Sequence, residues 1–469
     1  MARFVDRERE LDRLRALYET DDAALAVVYG RRRMGKTTLV LESIKNRDDA
    51  VYYQATRGSA EQQIRSFVSD AAAVHPGITR IREEWEALFG YLAEEDAVVV
   101  VDEFPYLVEQ TEALPSILQR VWDHTASETE TTFVLTGSAI GMMYEYALDG
   151  SGPLYGRVAK DPNGRLDVGP LPFDAALSFF PGYDPGEQVM TYGIFGGTPE
   201  YLRAVRDDEP LDQNVTRTLL RRDGSLHEEP ENVLHREVDE VDRYFAVLKS
   251  MAEGNRTPNE IAQGAGITSG SVGYYLSRLR DLRVIEQHYP ATVDPDRSRK
   301  GRYRTSDPLF RFWFRFVYGR TARYEVYGDD AYADLVEPEL PDFVSGTFEQ
   351  LCQQALLYEY GDQYRFVEEP TNWWDGSGRE IDIVAPTDGD TLVVGEAKFR
   401  QQPVGYDVLS QLENEAPLVD WTPESGGEPE YQYALFGRTG FKQSVTEAAE
   451  ERDDIRLFTV DDVVRTLSN

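Results

Sequence analysis

Gly30-Arg31-Arg32-Arg33-Met34-Gly35-Lys36-Thr37-Thr38 follows the short apolar run Leu25–Tyr29 and leads into a helical pattern reaching about Asn46. Gly-x4-Gly-Lys-Thr between a strand and a helix is the pattern of a phosphate-binding loop. Gly30 and Gly35 let the main chain curl until its amides face phosphate oxygens, and the helix N-terminus adds the positive end of its dipole. Lys36 is placed for β- and γ-phosphates. Thr37, with Thr38 beside it, offers a hydroxyl to Mg²⁺.

A second group stands about 65 residues downstream of Thr37, where Val98-Val99-Val100-Val101 ends in Asp102-Glu103. A carboxylate at the end of a neighbouring strand holds the Mg²⁺ shell, and Asp102 fits that place. Glu103 is placed to polarise an attacking water as general base. Ser138 closes the next apolar strand, Thr132–Thr136, and is placed to hydrogen-bond the γ-phosphate or that water.

A third group lies near the C-terminus. Arg379-Glu380-Ile381-Asp382-Ile383-Val384 is followed by a turn at Thr387–Asp390 and by Leu392-Val393-Val394-Gly395-Glu396-Ala397-Lys398. Asp382 and Glu396 alternate with apolar neighbours and can enter one cleft, and Lys398, two residues past Glu396, points the same way. Two carboxylates bind a hard divalent ion such as Mg²⁺. A lysine beside them can orient or deprotonate water and offset phosphate charge. The plain alternative is a salt-bridge ladder on the surface of an acidic protein.

The elements that must position these groups alternate. Buried strands at Leu25–Tyr29, Val51–Gln54, Ala97–Val101 and Thr132–Thr136 are separated by helical patterns, including one over roughly 59–93 and one over roughly Pro115–Ala126. This is the signature of a doubly wound parallel α/β sheet. Residues 1–165 form that core, 166–235 read as a helical lid, 236–306 as a small basic unit, 307–342 as an aromatic connector, and 343–469 as a second α/β domain. No internal repeat or low-complexity segment is visible.

The basic unit stands out because the chain is so acidic. Its 469 residues carry 84 Asp/Glu against 49 Lys/Arg, a net charge of −35, with only seven lysines. Residues 241–310 hold 11 basic and 8 acidic residues. Thr257–Ala262, a turn at Gly264–Ile267 and a helix over 269–281 N-capped by Thr268 or Ser269 read as helix-turn-helix. Val284–His288 and Gly301–Thr305 then form a hairpin with basic tip residues Arg297, Arg299, Lys300 and Arg302. The unit resembles a winged helix, which either lays helix 269–281 in a DNA major groove or serves as a structural lid. Phe310, Phe312, Trp313, Phe314 and Phe316 read as core or interdomain packing rather than as base-stacking residues.

Acidity spread along the whole chain argues against general nucleic-acid binding and resembles proteins of halophilic archaea, where salt screens self-repulsion. A single cysteine, Cys352, excludes an intramolecular disulfide and a thiolate zinc cluster, and five scattered histidines show no metal spacing. The N-terminus shows no signal-peptide core, and no apolar run approaches a membrane span. The expectation is a cytoplasmic protein with no membrane partner.

Phe4-Val5-Asp6-Arg7-Glu8, the phosphate loop, Val101-Asp102-Glu103-Phe104-Pro105, Leu135-Thr136-Gly137-Ser138, Leu154-Tyr155-Gly156-Arg157 and Gly196-Gly197-Thr198-Pro199-Glu200-Tyr201 together resemble the archaeal P-loop ATPase family of the AAA+/STAND-like assemblage. The resemblance covers about residues 1–235. It implies ATP with Mg²⁺ as cofactors, Phe4, Val5 and Arg7 on the adenine side, and Pro199 in a lid over the nucleotide. No Asn-Lys-x-Asp guanine reader is present. Asp382-x13-Glu396-x-Lys398 resembles the PD-(D/E)xK restriction-endonuclease-like core, with Glu349 of a helix over 345–359 as the upstream metal-binding acid and Gln411 at a polar position of the following helix. Ile381 replaces the proline of that pattern. The expected protein is therefore an ATP-hydrolysing multidomain chain, open to homo-oligomer formation, that acts on DNA through a winged helix and a nuclease-like domain. The alternatives are a nucleotide-gated scaffold and a transcriptional regulator with an inactive nuclease fold.

Overall fold

The computed structural model describes residues 4–158, 163–298 and 300–468. Its contacts divide it into two compact units, Met1–Leu171 and Pro172–Asn469. Arg299, expected at the hairpin tip, lies outside the described residues.

The first unit is built on a five-stranded sheet: β1 (Ala24–Tyr29), β2 (Ala50–Gln54), β3 (Val98–Asp102), β4 (Thr132–Gly137) and β5 (Arg165–Asp167), in the order β2-β3-β4-β1-β5. Every pairing is parallel. β3 and β4 are buried throughout, as an apolar strand covered on both faces must be. Alternate residues feed opposite cores. Leu25 and Val27 join Phe67, Trp85, Phe89 and Phe133 on one face. Ala26 and Val28 join Leu11, Leu14, Leu17, Leu39 and Val40 on the other. The helix expected over 59–93 is interrupted: Ala60–Ala72 and Trp85–Glu94 flank a short 3-10 turn at Pro76–Arg80. Pro76 lacks the amide that a continuing helix needs.

The second unit begins with helices, among them Pro185–Phe195 and a short one at Pro199–Leu202. Helices Val241–Ala252, Pro258–Gly264 and Ser269–Asp281 then precede an antiparallel hairpin of β6 (Ile285–His288) and β7 (Arg302–Thr305). Thr268 is the N-cap of Ser269–Asp281, but its side chain caps no amide; its hydroxyl pairs with the Ser271 hydroxyl at 2.9 Å. Arg302 departs from the expected free tip. Its guanidinium stacks 4.4 Å from the Trp374 ring centroid and lies 3.4 Å from the Glu380 carboxylate. Arg297 does remain exposed, 3.4 Å from Asp294. Phe310, Phe312, Trp313, Phe314 and Phe316 are all buried, in edge and tilted contact with Phe245, Tyr318 and Phe343.

The long helix Leu340–Gly361 leads into a mixed sheet of β8 (Thr371–Trp374), β9 (Glu380–Pro386), β10 (Thr391–Lys398), β11 (Glu430–Gly437) and β12 (Ile455–Thr459), ordered β12-β11-β10-β9-β8. β8, β9 and β10 pair antiparallel, while β10, β11 and β12 pair parallel, with helices in the crossovers. Among the described residues no helix is long and apolar enough to cross a membrane, and Cys352 is buried as a free thiol.

Candidate functional site

β4 lies between β1 and β3, so the chain leaving β1 passes over the end of β4 on the same sheet edge as the end of β3. Ligands bind at such an edge of an open parallel sheet. The loop after β1 demands glycine at both ends. Gly30 has φ 148°, and a Cβ there would sit 2.2 Å from the Val168 carbonyl oxygen; Gly35, at φ 87°, is the left-handed residue that starts the helix Lys36–Ile44.

Lys36 is buried and its ammonium donates to the carbonyls of Gly30 at 2.9 Å and Arg31 at 2.8 Å. Thr37 and Asp102 meet: the hydroxyl donates to the Asp102 carboxylate at 2.8 Å. That carboxylate, 1% exposed, also accepts from Tyr52 at 2.9 Å and from Thr136. Burial first, and then the charge of Asp102, raise the Tyr52 phenol far above its ordinary range. Glu103 caps the helix Phe104–Gln110 in a left-handed conformation, φ 55°, which an L-residue adopts at a cost. Its amide donates to the Thr136 hydroxyl at 3.2 Å, and its carboxylate accepts from the Ser138 hydroxyl at 2.9 Å and the Ser138 amide at 3.3 Å. Thr38 follows in the first turn of the helix.

The other expected nucleotide residues are placed less directly. Phe4 packs on the core face lined by the leucines of the helix Glu8–Tyr18, and Val5 is half-buried. The buried Arg7 donates to the Gly169 carbonyl and to Glu10 at 3.1 Å. Pro199 is buried at the start of its short helix in the second unit, two residues past a Gly196–Gly197 turn. Arg157 grips Asp123 with two nitrogens, at 3.0 and 2.7 Å. Sequence reasoning missed Tyr52 and Thr136. Both lie in strands neighbouring β3, and only the strand order shows that their hydroxyls converge on Asp102.

The loop and strand ends fit a magnesium nucleotide. A hydroxyl already rests against a buried carboxylate, and both are hard oxygen donors of the kind Mg²⁺ prefers. The glycine-lined curl and the helix start supply a phosphate cradle.

In the second unit Asp382 on β9 and Glu396 on β10 converge on Lys398, whose ammonium lies 3.1 Å from Asp382 and within hydrogen-bond distance of Glu396. Asp382 also accepts from the Ala397 amide at 3.0 Å. Glu349 of the helix Leu340–Gly361 accepts from Asn372 at 3.4 Å, and Gln353, one turn further on, donates to the Asp382 carbonyl at 2.8 Å. Burial, then the charge of Asp382, pushes the Glu396 carboxyl up to about 8 and the Glu349 carboxyl up to about 7. Burial works against the Lys398 ammonium, but the two carboxylates outweigh it and raise its pKa. Gln411 is exposed and pairs with Glu415 at 3.1 Å. Asn372 and Gln353 carried no motif in the sequence. Among the described residues no three His, Cys, Asp or Glu side chains converge as a ready metal cluster.

Residues 4–205 match a family described as an ATPase domain predominantly from Archaea. Residues 313–414 match a second family, described as archaeal and bacterial proteins of unknown function. An uncharacterized protein of Methanocaldococcus jannaschii is 32% identical over 391 residues, spanning 82% of this chain and 85% of its own. Among solved structures, a Walker-type ATPase of Pyrococcus abyssi aligns over 66% of this chain and 96% of its own, at 20% identity and a TM-score of 0.49. Cdc6p from Pyrobaculum aerophilum aligns over 66% and 92%, at 13% identity and a TM-score of 0.33.

Proposed function

The chain belongs to the archaeal P-loop ATPase family, and from that premise we propose that it hydrolyses ATP at the β1–β3 edge of its first unit and couples the nucleotide state to a nuclease-like second unit. The observation that carries the reading is the pairing of Thr37 with Asp102 at 2.8 Å beneath the glycine curl. A bound magnesium ion would neutralise developing charge on the phosphates and fix their oxygens. Thr37 and Asp102 would hold it. Lys36 exchanges two main-chain carbonyls for phosphate oxygens when a polyphosphate enters the loop. Glu103 takes the proton of the attacking water, and Ser138, now hydrogen-bonded to Glu103, holds that carboxylate at the end of β4. Phe4, Val5 and Arg7 form the adenine side.

In the second unit Asp382 and Glu396, joined by Glu349 from the neighbouring helix, would hold a divalent ion, which would offset phosphate charge, and Lys398 would orient water toward a DNA phosphodiester; the three helices and hairpin of 241–305 would serve as a winged helix that presents the strand. A cytoplasmic location and a homo-oligomer, with no membrane partner, complete the reading. The acidic composition supports a halophilic archaeal source. One observation favours a second reading, a nucleotide-gated scaffold without cleavage: Lys398 already satisfies both strand carboxylates. Phosphate release and strand cleavage, scored together on the full chain with ATP and Mg²⁺ or Mn²⁺, test both. ATP turnover with cleavage abolished by Asp382→Ala supports the first reading. Turnover without cleavage of single-stranded, duplex or branched DNA selects the second. Absence of turnover overturns both.

A further inference from the structure

The second unit contains a cavity of about 490 Å³ bordered by the hairpin β6–β7, the helix Val241–Ala252 with the loop that follows it, and the start of Leu340–Gly361. Its lining gathers Arg256, Arg304, Arg311 and Arg315, together with His288 and three acidic residues, Asp342, Glu349 and Glu380. Four guanidiniums around one cavity are unexpected in a chain of net charge −35.

Three of the four have carboxylates at hand. Arg256 lies 3.5 Å from Glu380, Arg304 2.5 Å from Glu286 and Arg315 2.6 Å from Glu339. Arg311 is different: among the described residues no carboxylate lies within ion-pair distance of it, and Glu349 acts on it only through its charge. Its guanidinium stacks 4.6 Å from the Phe343 ring centroid and donates to the Thr347 hydroxyl at 2.7 Å and the Gly193 carbonyl at 3.5 Å. Its Nε is shut off from solvent with no hydrogen-bond partner, and so is Nδ1 of His288. Buried polar atoms are rarely left so, because each lost hydrogen bond carries a desolvation penalty. The electrostatics agree. Burial, then the charges of Arg304, Arg256 and Arg302, hold the His288 imidazole neutral, down to about 3. Burial likewise lowers the Arg311 guanidinium to about 10.

We propose that this cavity is a binding site for a phosphate-bearing ligand of nucleotide size, with Arg311 as its anchor and Arg256 and Arg315 at its border. A guanidinium fork matches phosphate oxygens in geometry and charge. A cavity of this size exceeds one phosphate and falls in the range of small-molecule sites. Glu349 lies on its wall and Asn372, which lines it too, donates to Glu349, so the ligand's far side would face the Asp382–Glu396–Lys398 group. That last placement rests on the nuclease-like reading above; the anion site itself does not.

The test is calorimetric titration of the full chain carrying Lys36→Ala, which removes the phosphate loop as a competing site. The probes are inorganic phosphate, a nucleoside 5′-monophosphate and a 5′-phosphorylated single-stranded oligonucleotide. Phosphate should bind at one site, and adding Arg311→Gln should weaken it at least about tenfold, the loss of one charged hydrogen-bond donor. Arg311→Lys should recover part of that loss, and Arg120→Gln, on the first unit, should change nothing. Should Arg311→Gln fail to fold, Arg256→Gln takes its place with the same expected direction. Displacement of phosphate by the oligonucleotide identifies a strand as the source, and displacement by the mononucleotide alone a free nucleotide. Absence of phosphate binding, or affinity unchanged in both Arg311→Gln and Arg256→Gln, overturns the proposal. Neither result depends on ATP turnover or strand cleavage, so failure here is separable from failure of the proposed function.

Discussion

At the end of β3 the Asp102 carboxylate takes hydrogen bonds from three hydroxyls, those of Thr37, Tyr52 and Thr136, whereas in the second unit Asp382 and Glu396 share the ammonium of Lys398. Both are buried acids, and burial of a charge is costly unless partners compensate it. They are compensated in opposite ways. Neutral hydroxyls can turn from donor to metal ligand without removing a cation, so the first site would accept Mg²⁺ by reorienting Thr37. The second is neutralised from within, and a divalent ion there must share its carboxylates with Lys398. A motif that carries its own counter-ion is a stable piece of structure with or without turnover, whereas the phosphate loop makes little sense without a polyanion.

The largest effect should separate the two sites by activity. Lys36→Ala should lower ATP turnover by about 10²–10³, the range for loss of one charge-stabilising donor. Asp382→Ala should leave turnover within about twofold, since the two mutations lie in units with separate cores. A comparable loss in Asp382→Ala, measured by phosphate release, would break the comparison.

Next in size is a stability contrast between the two lysines. Lys398→Ala strands two acids whose side chains are 13% and 9% exposed, and should cost roughly 3–5 kcal/mol, lessened where Glu396 takes up a proton. Lys36→Ala removes hydrogen bonds to carbonyls and should cost only about 1 kcal/mol. Chemical denaturation of both variants across alkaline pH measures the difference, and because Lys398 holds the Glu396 carboxyl down, its loss pushes that carboxyl further up; equal costs in the two variants would contradict the electrostatic account.

A smaller effect, felt only at low pH, belongs to His288. Its imidazole titrates near 3 in the folded chain and near 6.5 when unfolded. The unfolded state therefore binds the proton first, and stability falls as pH drops from about 6.5 toward 3, by up to a few kcal/mol, with no effect above that window. His288→Asn should flatten this part of the stability–pH curve relative to wild type. Parallel curves would contradict the buried neutral imidazole.

Much of the first site was legible because its chemistry is local in sequence. Gly30, Gly35, Lys36 and Thr37 sit in one loop, and Asp102-Glu103 end an apolar run that could only be a buried strand. Tyr52 and Thr136 were not legible, because their roles depend on strand order: β2 and β4 both flank β3, and no spacing along the chain states that. In the second unit the Asp382–Glu396–Lys398 pattern was readable from alternation across a hairpin. Asn372 and Gln353 were not, since a polar residue on a strand and another within a helix carry no signal until packing brings them to Glu349 and Asp382. The hairpin misled in one respect. Arg302 reads as a basic tip, yet Trp374 and Glu380, more than seventy positions away, capture it.

The central claim is that Glu103 is the base of an ATP-hydrolysing site whose binding parts are Lys36, Thr37 and Asp102. Glu103→Gln tests it most directly, because the amide keeps the shape at the end of β3 and removes only the proton acceptor. With ATP and Mg²⁺ in a single-turnover experiment, the variant should bind nucleotide as wild type does and release phosphate about 10²–10⁴ times more slowly. Phosphate release at the wild-type rate from the nucleotide-filled variant would contradict the account.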